Sequence, residues 1–116
     1  SLHVPLTDET NYLVNKAFID SFKKPFYLIN SARGKCANTK DIVKAMDSKK
    51  ILGVCLDVHE YEKVSFESIE QIPSDLKKLL ESEKAIFSPH VAGWTQESNQ
   101  KMADVLFQKI TDSFPS

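Results

Sequence analysis

The alternation of short apolar runs with segments of helical periodicity is the feature that most constrains how this chain folds. Leu2, Val4 and Leu6 alternate with other residues, which predicts a β-strand over residues 2–6. Three later runs are continuously apolar, as is typical of strands in a buried parallel sheet, and they cover residues 26–29, 51–56 and 85–87. This alternation predicts an α/β fold with a parallel sheet of about four strands, right-handed crossovers and flanking helices.

Four segments between and after these runs have apolar residues at helical spacing. The first covers residues 11–22, and Thr7 or Thr10 is its expected N-cap. Asn38 or Thr39 is the expected N-cap of the second. The third is short, and Thr95 is the expected N-cap of the fourth. The third helix contains Leu76, Leu79 and Leu80. The predicted buried stripe of the fourth helix consists of Met102, Val105, Leu106, Ile110 and Phe114.

The three glycines exclude a Gly-rich phosphate loop within this sequence. Gly34, Gly53 and Gly93 are far apart, whereas a phosphate loop places its glycines within a few residues of one another. The 15 basic and 16 acidic side chains give a net charge of −1, so no basic surface attracts nucleic acid. No nucleic-acid partner is therefore expected.

The two cysteines and the length of the apolar runs bear on location. Cys36 and Cys55 match no zinc spacing and no dense disulfide framework, so we expect small buried side chains in a reducing compartment, the cytoplasm. No apolar run reaches the roughly 18–20 residues that cross a bilayer, and no membrane partner is expected. The chain begins at Ser1 and runs directly into an apolar stretch, so we expect a piece of a longer protein.

Candidate site residues follow three of the predicted strands. Ligands of open parallel sheets bind beyond the carboxyl ends of the strands, and the residues at those ends include Arg33, Asp57, Glu62 and His90. Each has an ordinary structural alternative when taken alone. Arg33 is typical of a solvated surface residue, Asp57 of a turn or helix cap, and His90 of an exposed or structural histidine. Their joint position at one edge favours a functional site.

Four motifs in order resemble the D-isomer-specific 2-hydroxyacid dehydrogenases, the family of phosphoglycerate dehydrogenase and D-lactate dehydrogenase. The motifs are His3-Val4-Pro5-Leu6-Thr7 with Thr10, Leu28-Ile29-Asn30-Ser31-Ala32-Arg33-Gly34, Gly53-Val54-Cys55-Leu56-Asp57-Val58 with Glu62, and Ser88-Pro89-His90-Val91-Ala92-Gly93. The resemblance covers essentially the whole chain. It implies a partial Rossmann-type fold, NAD as cofactor, no metal, and a small 2-hydroxy or 2-oxo acid as substrate.

The resemblance also implies roles for individual residues. Arg33 is expected to clamp the substrate carboxylate with its guanidinium fork. His90 is expected to be the general acid and base, and Glu62 the carboxylate that orients its ring and favours the imidazolium. Asp57 is expected to contact the nicotinamide side of the cofactor. The expected cofactor-binding residues are Pro5, Thr7, Ala32, Arg33, Asp57, His90 and Gly93.

Some features depart from the family pattern. Lys63 stands where most members have a proline, so the path beyond Glu62 is expected to differ. His59 and Glu60 compete with Glu62 as partners of the histidine, although the spacing favours Glu62. Trp94 is expected either to anchor the packing at the domain edge or to line the substrate cleft.

Residues 1–116 are expected to form the C-terminal half of a dinucleotide-binding domain, including a final crossing helix. The parent is expected to be an NAD-dependent D-2-hydroxyacid dehydrogenase, with 3-phosphoglycerate as the first candidate substrate and D-lactate as the second. The alternatives are an NAD-sensing corepressor-type module and a fragment that is inactive in isolation. The apolar edge over residues 2–6, or the helix face beside it, is expected to mediate association into a homodimer.

Overall fold

A computed structural model describes residues 1–62 and 71–114. Its strands are β1 (Phe26–Asn30), β2 (Ile51–Leu56) and β3 (Ala85–Phe87). Its helices are α1 (Lys16–Ser21), α2 (Thr39–Asp47), α3 (Ser74–Leu80) and α4 (Gln96–Ser113), with a 3-10 turn at Gly34–Cys36.

The three strands form a parallel sheet in the order β1-β2-β3. Leu28, Val54 and Ala85 lie side by side across it. Each continuously apolar run predicted to be a buried strand is a strand of this sheet, and the α/β class with a parallel sheet and flanking helices is confirmed.

The predicted strand over residues 2–6 is reduced to one parallel bridge between Leu2 and Asn30. The amide of Leu2 donates to the carbonyl of Ile29 at 2.9 Å. Pairing stops there because Asn30 is the last residue of β1. Beyond the bridge, the carbonyl of Pro5 accepts a hydrogen bond from the hydroxyl of Thr10 at 2.6 Å. The predicted first strand is therefore a single bridge beside the three strands that the described residues form.

The hydrophobic core lies on one face of the sheet. Ile19 of α1, Ile42 of α2 and Leu79 of α3 pack with sheet residues such as Leu28 and Val54. The opposite face is not covered by the described residues, since Tyr27 is 71% exposed and Ile86 65% exposed. The prediction that the apolar runs are buried is therefore right for one face only. Both cysteines are free; Cys36 is buried as predicted and Cys55 is partly exposed.

The first helix begins later than its periodicity predicts. Residues 12–14 are held against the 3-10 turn, because the amide of Tyr12 donates to the carbonyl of Lys35 at 2.7 Å and the amide of Val14 donates to Cys36 at 2.9 Å. The side chain of Asn15 then caps α1, so the expectation of a cap at Thr7 or Thr10 is wrong. Asn38 caps α2, one of its two predicted caps.

Helix α4 has the predicted cap and lacks the predicted burial. The hydroxyl of Thr95 accepts a hydrogen bond from the amide of Ser98 at 3.0 Å. No residue of α4 is buried, and Phe114 just beyond it is 79% exposed, so the predicted buried stripe is wrong for the described chain. Helical periodicity shows which side of a helix is apolar, but it does not show whether another element covers that side. No helix among the described residues is long and apolar enough to span a membrane.

Candidate active site

Asn30 shapes the loop that presents Arg33. Its buried side chain accepts a hydrogen bond from the amide of Ala32 at 3.1 Å and donates one to the carbonyl of Arg33 at 3.1 Å. The guanidinium of Arg33 is exposed and donates to the carbonyl of Ala32 at 2.7 Å. No role was expected for Asn30 from the sequence, although an Asn directly before a loop is a signal for this type of turn.

Asp57, at the end of β2, organises the loop that contains His90. Its Oδ1 accepts hydrogen bonds from the Ser88 hydroxyl at 2.5 Å and the Val91 amide at 2.9 Å, and its Oδ2 accepts one from the Ala92 amide at 3.0 Å. Desolvation opposes its charge, but these hydrogen bonds, with a smaller contribution from His90, lower the pKa of Asp57 below its usual value of 3.8. The structure thus places Asp57 as a turn-forming residue, the alternative that the sequence left open.

His90 lies in this loop with a strained backbone. Its φ is 59°, in the left-handed region that is uncommon for residues other than glycine. Its amide donates to the carbonyl of Asp57 at 3.0 Å, which holds the backbone in that conformation. Strain of this kind persists where the surrounding structure enforces it, and it clusters at functional sites. The side chain is 51% exposed, so the ring is accessible from solvent.

The acid that faces His90 is Glu62. Nδ1 of His90 lies 3.6 Å from Oε2 of Glu62. The competing candidates point elsewhere: Nδ1 of His59 accepts a hydrogen bond from the amide of Tyr61 at 3.3 Å, and Glu60 lies beside Tyr12 and Tyr61, where its charge raises the pKa of Tyr12. The spacing and the structure therefore select the same carboxylate. Lys63, the departure next to it, lies outside the described residues.

Gly34 allows two parts of the site to meet. A Cβ atom at Gly34 would lie 2.1 Å from the carbonyl oxygen of His59 and 2.8 Å from the amide nitrogen of Glu60. Only a glycine permits this approach without a shift of backbone. The loop of Arg33 therefore packs directly on residues 59–62, the segment that ends in Glu62.

The remaining predicted cofactor residues occupy the same edge of the sheet. Because Leu2 pairs in parallel with the last residue of β1, Pro5 and Thr7 lie beyond the carboxyl end of the sheet. Both are exposed, and the amide of Thr7 donates to the Thr10 hydroxyl at 2.8 Å. Gly93 is exposed with open space beside it, whereas Ala32 is buried. Trp94 is 81% exposed, so it is no packing anchor within the described chain.

These residues fit one end of a dinucleotide. The exposed Arg33 and His90 stand at the carboxyl edge of the sheet, where ligands of such folds bind. A carboxylate has about four acceptor positions, and Asp57 uses three of them, which leaves one for a donor such as a carboxamide. The sequence contains no Gly-rich turn for the pyrophosphate. Among the described residues, no three His, Cys, Asp or Glu side chains converge as metal ligands.

Comparison with known proteins agrees with this geometry. Residues 1–92 match the family described as D-isomer specific 2-hydroxyacid dehydrogenase, NAD binding domain. A glyoxylate reductase of Thermofilum pendens is 38% identical over 110 residues, which cover 95% of this chain and 30% of that protein. A D-lactate dehydrogenase of Streptococcus pyogenes is 35% identical over 108 residues, which cover 90% of this chain and 33% of that protein.

A solved structure shows the same architecture. The D-isomer specific 2-hydroxyacid dehydrogenase from Lactobacillus delbrueckii ssp. bulgaricus, in its NAD complexed form, superposes with a TM-score of 0.75 at 30% identity. The match covers 96% of this chain and 35% of that one, and the chain spans about a third of the length of each of these relatives. The family match extends over far more than half of the residues. The chain therefore belongs to the D-isomer specific 2-hydroxyacid dehydrogenases, in the part that forms their NAD binding domain.

Proposed function

We propose that this chain is the C-terminal half of the dinucleotide-binding domain of an NAD-dependent D-2-hydroxyacid dehydrogenase. This half carries the residues that act as acid and base in the reaction. The observation that supports this most directly is the His90–Glu62 pair, 3.6 Å apart and exposed at the carboxyl edge of the sheet. NADH, when bound, supplies the hydride for reduction of a 2-oxo acid. The chain's own residues bind the acid and move the proton.

The proposed roles follow from the chemistry of each side chain. The exposed guanidinium of Arg33 binds the substrate carboxylate through two parallel hydrogen bonds. His90, as imidazolium, donates a proton to the carbonyl oxygen as it becomes a hydroxyl, and it takes the proton back in the oxidation direction. Glu62 stabilises the imidazolium and orients its ring. Asp57 holds the His90 loop and offers its remaining acceptor position to the cofactor.

The substrate we propose is a small, unphosphorylated 2-oxo acid. The relatives described above are named as a glyoxylate reductase and a D-lactate dehydrogenase. A phosphorylated substrate such as 3-phosphoglycerate is the alternative, and it would need additional cations near its phosphate. Because the chain spans about a third of its relatives, we assign the activity to the full-length protein and expect the 116-residue chain alone to be inactive.

We further propose a homodimer in the cytoplasm. The free cysteines Cys36 and Cys55 are in keeping with a reducing compartment. Apolar surface suited to association is present on the uncovered sheet face at Ile29 and Ile86, and on α4 at Leu106.

The test is steady-state oxidation of NADH by the full-length protein with glyoxylate, pyruvate or 3-phosphohydroxypyruvate. We expect turnover with one of the first two. His90→Ala should lower kcat on the order of 10²- to 10⁴-fold, the usual contribution of a general acid, while the Kd for NADH stays within about threefold. His3→Ala, which removes an exposed histidine hydrogen-bonded to Ser1, is the matched control. Wild-type turnover in His90→Ala would remove His90 from the reaction.

A further inference from the structure

The segment that presents Glu62 is a short turn, residues 59–62, directly after β2. The amide of Glu62 donates to the carbonyl of His59 at 3.3 Å, which closes the turn. The carboxylate of Glu62 lies 3.6 Å from the His90 ring. That distance depends on where the turn sits, because Glu62 is its last residue.

Tyr61 ties this turn to helix α3. Its hydroxyl donates a hydrogen bond to Oδ2 of Asp75 at 3.0 Å. Asp75 lies in the first turn of α3, and α3 is anchored by the buried side chains of Leu76 and Leu79. Burial, together with the neighbouring carboxylates of Glu60 and Asp75, raises the pKa of Tyr61. The phenol therefore remains a hydrogen-bond donor throughout the neutral pH range.

The turn has further contacts: the His59 ring lies edge to face against Phe87 of β3, with ring centroids 6.3 Å apart, and Glu60 lies beside Tyr12. Gly34 supports the backbone of His59 and Glu60 from the Arg33 loop. Oε2 of Glu60 is buried but has no hydrogen-bond partner within residues 1–62 and 71–114, so this oxygen adds no anchor. Tyr61 is the residue directly before Glu62, so its hydrogen bond to Asp75 is a directional contact between α3 and the end of the turn that carries the carboxylate.

We propose that Tyr61 is a positioning residue, whose hydrogen bond to Asp75 holds the turn of residues 59–62 so that Glu62 stays within reach of His90. The inference rests on the proposed function, in which Glu62 and His90 work as a pair. Tyr61 touches neither substrate nor cofactor in this scheme, and it acts only through Glu62.

The test is Tyr61→Phe in the full-length protein, which removes one hydroxyl and keeps the ring. We expect kcat for 2-oxo acid reduction to fall on the order of 10-fold, with KM changed less than about twofold. The reason is that the substitution impairs proton donation by His90 and does not impair substrate binding. Tyr27→Phe, at a tyrosine on the uncovered sheet face, should leave both quantities unchanged.

Substitutions at Asp75 distinguish the effect of losing the hydrogen bond from the effect of changed packing around Tyr61. Asp75→Asn keeps an oxygen acceptor and should recover most of the wild-type kcat. Asp75→Ala removes the acceptor and should match Tyr61→Phe, and the double variant should be no worse than either single variant. If Tyr61→Phe does not fold, this Asn and Ala pair decides the question.

A spectroscopic measurement makes the inference independent of activity. In protein with ¹⁵N-labelled histidine, the ring nitrogen signals of His90 should shift in Tyr61→Phe and stay unchanged in Tyr27→Phe. Absence of NADH-dependent reduction in the wild type would overturn the proposed function, while the NMR comparison would still test the positioning role. Wild-type kcat, KM and His90 signals in Tyr61→Phe would overturn the positioning role alone.

Discussion

Replacing Gly34, Gly53 or Gly93 by alanine should change the free energy of unfolding by very different amounts. The largest loss is expected at Gly34. An added Cβ at Gly34 would lie 2.1 Å from the carbonyl oxygen of His59 and 2.3 Å from its carbonyl carbon. Both atoms are backbone, so the clash cannot be relieved by a side-chain rotation. The turn of residues 59–62 and the Arg33 loop must separate by about 1 Å.

The magnitude follows from this geometry. Inserting a methyl group into a well-packed site costs roughly 1–3 kcal/mol, and a clash against backbone belongs at the upper end. Alanine recovers about 0.4–1 kcal/mol by restricting the unfolded chain. We therefore expect Gly34→Ala to lose about 2 kcal/mol, which lowers Tm by roughly 8 °C in a domain of this size.

The other two glycines are internal controls for the same substitution. At Gly53 an added Cβ would lie 3.0 Å from the carbonyl oxygen of Lys84 and 3.3 Å from the Tyr27 ring, so we expect a loss below about 1 kcal/mol. At Gly93 it would meet nothing within 4 Å, and Gly93→Ala should be neutral or stabilise by up to about 1 kcal/mol.

The assay is urea denaturation of the 116-residue chain followed by far-UV circular dichroism. Circular dichroism is preferred to fluorescence because Trp94 is already 81% exposed in the folded chain and reports little on unfolding. A Gly34→Ala variant within about 0.5 kcal/mol of wild type, or a Gly93→Ala variant as unstable as Gly34→Ala, would refute the close approach as the reason for Gly34.

Two further predictions concern Asp57 and the state of association. Asp57→Asn replaces a carboxylate oxygen, which accepts hydrogen bonds, with an NH₂ group that faces backbone amides. The free energy of unfolding should fall by about 2 kcal/mol at pH 7. Because the folded-state pKa of Asp57 is lowered, its contribution is present above 3.8 and is lost as pH falls through the folded value, so the stability gap between wild type and Asp57→Asn should narrow in acid. In sedimentation equilibrium the full-length protein should be a dimer, and a strict monomer at all concentrations would contradict the proposed association.

The strands and the start of α1 illustrate which parts of the fold a sequence pattern predicts and which it does not. Residues 26–29, 51–56 and 85–87 all lie in strands, because short continuous apolar runs are typical of strands in a parallel sheet. The start of α1 could not be predicted in the same way. Its first predicted turn is held away from helical geometry by hydrogen bonds from Tyr12 and Val14 to residues more than 20 positions later.

The site shows a similar division. The order and spacing of the motifs were enough to single out Arg33, Glu62 and His90, and the structure places the last two 3.6 Å apart. The residues that support them were not evident from the pattern. Asn30 and Tyr61 matter through hydrogen bonds to the Arg33 loop and to Asp75, and neither residue type is unusual where it stands.

The sequence by itself determined the alternation of strands and helices, the family motifs and the set of chemical groups at the carboxyl edge, because these depend on local periodicity and spacing. Tertiary structure alone decided which groups meet. Asp57 shapes the loop of His90 from more than 30 residues away, and Gly34 matters because the backbone of His59 packs on it. The apolar stripe of α4 remained uncovered for the same reason. Burial and hydrogen bonding depend on the partner that folding brings near, and a pattern along one chain does not contain that partner's position.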